Sequence, residues 1–272
     1  MLTRVNRVIK FIDMAKIVYQ GGLRAEKSNY PGDCALKKRA RERDIDTALN
    51  VVGDDFRSKT YLLLAGWEGR DIQELLDWGI PAKNIWACER CGPDFKAVTK
   101  RFAKTGVNFL GCELKDIPEE YGPWDVMILD MCGPLSDAND DTIKSLLACR
   151  LTKGGVIQIS VQAGRDSGRH NRYLEQTYPQ TYNLNRFPCK KNSNRPKSDY
   201  GIPRAIQYSF NQEWGFGSGR WPVPQQPVLV ATRKYQRPRS NLVYIGLTYK
   251  LRGAFKGFRA WNVKMPEVVE IR

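Results

Sequence analysis

Blocks of apolar residues alternate with amphipathic segments between residues 59 and 164. Four apolar runs come first, TYLLLAG at 60–66, NIWACER at 84–90, VNFLG at 107–111 and WDVMILD at 124–130, and GGVIQISVQAG follows at 154–164. The segments between them have helical spacing, as in DIQELLDWGI. Strands that are apolar on both faces are typical of parallel sheets covered by helices on both sides. The pattern therefore predicts an α/β fold with a doubly wound, mostly parallel sheet.

The same pattern predicts how the chain is divided. Helical spacing in VNRVIKFIDMAKIVY and LKKRARERDIDTALNVV predicts an N-terminal helical cap over residues 1–58, with KKRARER on a solvated helix face. LTKGG at 151–155 is expected to end a helix, and AIQYSFNQEW and PVLVATRKY are expected to form an antiparallel hairpin. The sheet domain then covers 59–235 with a polar insertion at about 164–203, and a basic, aromatic extension covers 236–272.

Charge separates the two halves of the chain. Residues 1–150 hold 23 basic and 23 acidic side chains, whereas residues 151–272 hold 21 and 6, so the whole net charge of +15 lies in the second half. This asymmetry favours a small-molecule site joined to a surface that contacts a polyanion, and a solvated basic face is the alternative. No apolar run approaches the roughly 20 residues of a membrane span. We expect a cytoplasmic location, no membrane association and reduced thiols at the seven cysteines.

The carboxyl ends of parallel strands form the ligand crevice of such folds, so the residues that end each run are the candidates for function. Gly66 and Gly69 bracket the turn after the first run, where a backbone can approach a ligand in front of a helix N-terminus. Glu89 ends the second run and can accept both hydrogen bonds of a ribose diol, although it could also serve as a helix N-terminal charge. Cys88 and Cys91 form a CxxC with no second pair, so no metal site is expected.

The later runs extend this crevice. Cys112 and Glu113 end the third run, beside the expected ribose position. Asp130 ends the strongly apolar fourth run, and a lone carboxylate there either faces the crevice or is buried at a cost of several kcal/mol. Gly133 and Pro134 then force the chain to turn.

The order of these features resembles the class I S-adenosylmethionine-dependent methyltransferases. The resemblance covers residues 59 to about 164 and rests on the AGWEGRD turn, the acidic end of NIWACER, the LDMCGP turn and LTKGGVI. It implies S-adenosylmethionine as cofactor, held by Ala65, Gly66, Gly69, Glu89, Cys112 and Glu113. It also implies that the methyl acceptor meets the fourth strand end at Asp130, Met131, Gly133 and Pro134.

Basic and aromatic residues in the second half suit RNA or single-stranded DNA, because cations neutralise phosphates and aromatic faces stack on unpaired bases. From Arg233 to Lys264 there are nine basic residues and no acidic ones. The polar insertion is interpreted either as a lid that contacts phosphates or as a flexible loop. The candidate nucleic-acid contacts are Arg165, Arg169, Arg172, Lys190, Lys191, Lys250, Arg252, Lys256, Arg259 and Trp261.

The sequence thus favours a methyltransferase that acts on nucleic acid, with an exocyclic base amine as the acceptor. A non-catalytic nucleic-acid-binding protein with the same fold is the main alternative. A nicotinamide dinucleotide enzyme is disfavoured because the chain lacks GxGxxG spacing. Two further alternatives stay open. One is a small-molecule methyltransferase whose second half is incidentally basic, and the other is a site that a protein partner subunit completes.

Overall fold

The computed structural model describes residues 16–26, 35–134, 142, 150–162, 225–236, 243–253 and 268–271. The strands are β1 (Lys16–Gln20), β2 (Tyr61–Leu64), β3 (Ile85–Cys88), β4 (Asn108–Gly111), β5 (Trp124–Pro134), β6 (Leu151–Gln162), β7 (Gln225–Gln236), β8 (Val243–Gly253) and β9 (Val268–Ile271). The helices are α1 (Ala35–Val52), α2 (Arg70–Asp77) and α3 (Gly92–Arg101), with short 3-10 helices at Phe56–Ser58, Ala82–Asn84 and Leu114–Asp116. No described helix has the length and hydrophobicity needed to cross a membrane.

The described strands form one nine-stranded sheet in the order β1-β4-β3-β2-β5-β6-β8-β7-β9. Only β8 runs antiparallel to its neighbours among these strands. Strand β2 pairs with β3 on one side and with β5 on the other, so the strand order reverses at β2. The structure confirms the predicted α/β class and the mostly parallel sheet.

Alternating residues of each central strand pack into two separate hydrophobic clusters. In β2, Tyr61 and Leu63 join the cluster that also contains buried residues of α1, α2 and α3, whereas Leu62 joins the cluster on the opposite face. The opposite cluster contains Trp124, with Trp86 and Tyr121 packed against it. Both faces of the sheet are therefore buried, as the uninterrupted apolar runs predicted.

The N-terminal helical prediction is wrong for residues 16–20. These residues form β1, which pairs in parallel with β4 at the edge of the sheet. The helical spacing failed because an edge strand need not alternate strictly: Ile17 is exposed, and the register shifts between Ile17 and Tyr19. The second predicted helix is confirmed as α1, and residues 1–15 lie outside the described part of the chain.

Two predictions in the second half also need correction. LTKGG begins β6: Leu151 lies opposite Trp124, and the next pair is Val156 with Val126, so the residues between them bulge out. Gly154 has a φ of 77°, which permits this irregularity. The hairpin is formed by β7 and β8, so the expected boundary after residue 235 separates two paired strands, and AIQYSFNQEW lies outside the described residues.

Candidate functional site

A cavity of about 560 Å³ lies at the carboxyl ends of β2, β3, β4 and β5. This is where the strand order reverses, and ligands of open α/β sheets bind at such points. Eight of the predicted site residues line the cavity: Ala65, Gly66, Gly69, Glu89, Cys112, Glu113, Asp130 and Met131. The predicted turn at Gly133 and Pro134 is wrong, because both residues belong to β5 and Pro134 lies opposite Gln162 of β6. The strand continues through a register shift between Asp130 and Pro134.

The turn between β2 and α2 forms the middle of the cavity wall. Gly66 and Gly69 both have positive φ values, 57° and 59°, which favour glycine. A Cβ on Gly69 would lie 2.4 Å from the Phe102 ring and 2.8 Å from Val98, so the turn is packed tightly against the end of α3. Between the two glycines, Trp67 lines the cavity and is 39% exposed.

Glu89 follows β3 and reaches the cavity from a half-buried position. Its backbone N–H donates to Leu110 O at 3.0 Å, and its Oε1 accepts the Cys91 N–H at 2.8 Å. Desolvation by burial raises the pKa of Glu89 above its ordinary value, although the Cys91 N–H opposes the rise. The carboxylate is therefore fixed in orientation and able to accept further hydrogen bonds from a ligand.

Glu89, Cys91 and Asp94 place potential metal-ligand atoms within 4.8 Å of one another. Structural zinc sites take four ligands, so three do not complete such a site. The Cys88, Cys91 and Cys112 thiols are free, and Cys88 Sγ donates to the Cys112 carbonyl at 3.2 Å. Cys88 and Cys112 thus form part of the buried wall beneath the cavity.

Residues 21–24 cross the ends of β3 and β4, an arrangement that the sequence analysis missed. Gly21 N–H donates to Gly111 O at 2.8 Å, and Arg24 N–H donates to Arg90 O at 2.7 Å. The Arg24 guanidinium forms an ion pair with Glu113 at 2.5 Å. Partial burial acts to raise the pKa of Glu113, but Arg24 outweighs it and holds that pKa below its ordinary value. The cavity wall at β4 is therefore closed by a segment that precedes α1.

Helix α1 forms the opposite wall. The predicted solvated helix face of KKRARER is therefore wrong for Lys37 and Arg41, whereas Lys38, Arg39 and Arg43 are exposed. Lys37 Nζ lies 2.9 Å from Asp130 Oδ2, and the Arg41 guanidinium lies 2.5 Å from Asp71 Oδ1. Both cations line the cavity, with side chains only 12% and 15% exposed. The buried Oδ1 of Asp130 has no hydrogen-bond partner among the described residues. Lys37 thus holds one oxygen of Asp130, and the side chain as a whole is 25% exposed and lines the cavity, where its carboxylate can accept a ligand N–H or O–H.

A buried polar cluster holds α1 on the sheet. Arg233 of β7 donates to Asp44 Oδ1 at 2.6 Å, and Ser160 Oγ donates to Asp44 Oδ2 at 2.9 Å. Arg233 also donates to Gln158 Oε1 at 3.0 Å and to Thr248 Oγ1 at 3.1 Å. Burial raises the pKa of Asp44, and the Arg233 guanidinium opposes that rise. The cluster fixes the helix that carries Lys37 and Arg41.

The candidate nucleic-acid contacts are only partly described. Lys250 lies on β8, and its Nζ donates to the Val51 carbonyl at the end of α1 at 2.8 Å. Arg252 follows on the same strand. The remaining candidates lie outside the described residues: Arg165, Arg169, Arg172, Lys190, Lys191, Lys256, Arg259 and Trp261.

No protein-family model and no curated protein sequence matches the chain. Its structure is similar to M. jannaschii TYW2 solved in complex with AdoMet, at a TM-score of 0.50 and 11% identity, over 82% of this chain and 79% of that one. It is also similar to P. horikoshii TYW2 solved in complex with MeSAdo, at the same score and identity, over 88% of this chain and 72% of that one. The chain therefore has the fold of the class I S-adenosylmethionine-dependent methyltransferases.

Proposed function

We propose that the protein is an S-adenosylmethionine-dependent methyltransferase that acts on nucleic acid. The observation that carries the proposal is the pair of carboxylates that line one cavity from the two strands flanking β2, Glu89 after β3 and Asp130 in β5, with the glycine turn after β2 between those strands. One carboxylate suits a ribose diol, and the other suits a hydrogen-bond donor on a second ligand. Two such ligands beside each other are what methyl transfer requires.

The cofactor end has the residues that the proposed ligand needs. The Glu89 carboxylate can accept both ribose hydroxyl protons, and the turn at Gly66 and Gly69 lets the methionine part approach the backbone. Cys112 and Glu113 border the space for the adenine ring. When bound, S-adenosylmethionine supplies a methyl group on a positively charged sulfur. These residues serve only to bind and orient the cofactor.

At the acceptor end, Asp130 orients the nucleophile. Its carboxylate, which lines the cavity, accepts an N–H of an exocyclic base amine, so that the nitrogen lone pair faces the methyl group that the cofactor would supply. When bound, the cofactor would supply the methyl carbon for the new N–C bond and keep the electrons of the broken C–S bond on its sulfur. Asp130 would take the proton that the nitrogen loses and pass it to water. Lys37 keeps the carboxylate in place through Oδ2.

The choice of nucleic acid as substrate rests on charge. The second half of the chain carries 21 basic and 6 acidic residues, which favours a polyanion over a small neutral acceptor. RNA or single-stranded DNA is preferred because an exocyclic amine must leave a base stack before it reaches an enclosed aspartate. A cytoplasmic location is part of this proposal.

Calorimetric titration with S-adenosylmethionine and S-adenosylhomocysteine tests the cofactor site. We expect Glu89→Gln to weaken binding about 10- to 150-fold, because hydrogen bonds to a charged group are worth about 1.5 to 3 kcal/mol. Glu68→Gln is the matched control, since Glu68 lines the same cavity but is paired with Arg70 at 2.5 Å. Equal affinities for the wild type and Glu89→Gln would remove Glu89 from the ribose role.

Transfer of a radioactive methyl group to RNA and to single-stranded DNA tests the reaction. Asp130→Asn should lower turnover at least about 100-fold, the usual contribution of a positioned acid–base group, while cofactor affinity stays within about twofold of the wild type. Retained turnover would contradict the role of Asp130. Cofactor binding without methyl transfer to any nucleic acid would favour the small-molecule alternative, and binding of nucleic acid alone would favour the non-catalytic one.

A further inference from the structure

We infer that Trp67 is the platform on which the acceptor base stacks, so that Trp67 and Asp130 together select a planar base with an N–H donor at its edge. This inference rests on the proposed function and names the substrate chemistry of the same site. It assigns a substrate-binding role to a residue of the glycine turn.

The position of Trp67 follows from the strand order. Trp67 lies in the turn after β2, and β2 lies between β3, which leads to Glu89, and β5, which carries Asp130. Trp67 therefore lines the cavity at the turn that receives the methionine part of the proposed cofactor, beside the strand that carries Asp130. A methyl acceptor has to lie close to that part of the cofactor.

The turn holds Trp67 firmly. Ala65 N–H donates to Cys88 O at 3.0 Å before the turn, and Gln73 N–H donates to Gly69 O at 3.1 Å after it. Gly69 packs against Phe102 and Val98 with no room for a side chain. A flat side chain on a fixed backbone loses little conformational freedom when a ring stacks on it.

Exposure distinguishes Trp67 from the other large apolar side chains of the cavity wall. Trp67 is 39% exposed, whereas Leu64 is half-buried and Leu114 is buried. Trp78 is similarly exposed at 37%, but it does not line the cavity, and its ring packs edge-on against Phe56 at 6.1 Å. The part of Trp67 that remains exposed offers a base an aromatic surface beside a polar anchor.

The chemistry of the two residues is complementary. An indole ring stacks on every base with little selectivity, because all bases present a π-face. The carboxylate of Asp130 lines the same cavity and accepts hydrogen bonds, so it favours a base edge that carries N–H.

A stacking probe tests the inference. Single-stranded RNA 12-mers that carry one 2-aminopurine, whose fluorescence falls when it stacks on an aromatic ring, are titrated into protein saturated with S-adenosylhomocysteine. The wild type should quench the probe, and Trp67→Phe should keep most of the quenching. Trp67→Leu should lose it and bind the RNA about 5- to 150-fold more weakly, the range for the loss of one base–aromatic stack.

The controls separate stacking from folding and from cofactor binding. Trp78→Leu removes an equally exposed tryptophan away from the cavity and should leave quenching unchanged, and the unfolding midpoints of all variants check that they fold. The inference is overturned if the wild type quenches no probe, if Trp67→Leu quenches like the wild type, or if Trp67→Leu weakens S-adenosylhomocysteine binding. Failure of the wild type to bind S-adenosylhomocysteine would instead overturn the proposed function.

Discussion

Replacing Asp44 by alanine tests whether the buried cluster beneath α1 holds the cavity wall in place. Asp44 and Arg233 are 6% and 5% exposed, and their side chains meet at 2.6 Å. The substitution leaves the guanidinium in a buried site without its carboxylate, and Ser160 loses the acceptor of its hydroxyl. Among the described residues, the remaining partners of Arg233 are the uncharged side chains of Thr47, Gln158 and Thr248.

Loss of one member of a buried ion pair costs about 3 to 5 kcal/mol. This is a large part of the 5 to 15 kcal/mol that stabilises a typical native protein. With a urea slope of about 3 kcal/mol/M, the unfolding midpoint of Asp44→Ala should fall by about 1 to 2 M. The fluorescence of the seven tryptophans can report the urea transition.

Asp46→Ala is the matched control for this measurement. Asp46 lies on the same helix, and the hydrogen bond that it accepts from Asn50, at 3.3 Å, is exposed. Its loss should change stability by no more than about 0.5 kcal/mol. The double variant Asp44→Leu with Arg233→Met should recover much of the loss, because it removes both buried charges. A change under about 1 kcal/mol for Asp44→Ala would refute the reasoning and show that Arg233 is solvated by another route.

Three further predictions concern the cavity and the basic second half. Burial raises the pKa of Glu89. Cofactor affinity should therefore be constant at neutral pH and fall as the pH drops through that raised pKa, because the carboxylate then gains a proton. Calorimetry that shows constant affinity down to pH ~4.5 would contradict the ribose role. Gly69→Ala should lower stability by about 1 to 3 kcal/mol in urea unfolding, since its φ is 59° and its Cβ would meet the Phe102 ring at 2.4 Å; unchanged stability would mean that the turn can shift. A variant with glutamine at four basic positions, Lys250, Arg252, Lys256 and Arg259, tests the binding surface. The slope of log affinity against log salt concentration should fall by about 0.7 for each of these residues that contacts a phosphate of single-stranded nucleic acid. An unchanged slope would place the binding surface elsewhere.

The central strands could be predicted from the sequence because both of their faces are buried. Tyr61 to Leu64 shows why: successive side chains enter different hydrophobic clusters, so every position is apolar. Edge strand β1 has no such constraint, since Ile17 is exposed and Val18 is half-buried. Its apolar residues matched helical spacing by chance, and only the pairing with β4 reveals a strand.

The residues at strand ends could also be placed in advance, but their partners could not. Glu89 and Asp130 were predicted from position alone, because parallel strands bring their carboxyl ends to one edge. Lys37 and Arg24 reach the cavity from segments whose orientation depends on tertiary packing. The i and i+4 spacing of Lys37 and Arg41 on one helix face, followed by Asp44, was the available signal. A salt-bridged surface helix gives the same pattern, so the spacing alone could not distinguish the two.

The pairing of β1 with β4 has a consequence for protein synthesis. Gln20 lies opposite Gly111, so β1 leaves the ribosome about 90 residues before the strand that it needs. At about 5 to 20 residues per second, β1 waits on the order of 5 to 20 s without its partner. During this interval, the segment that later brings Arg24 to Glu113 lacks the strand ends to which it hydrogen-bonds in the folded protein. The cavity wall at β4 is therefore completed by a segment made early and docked late.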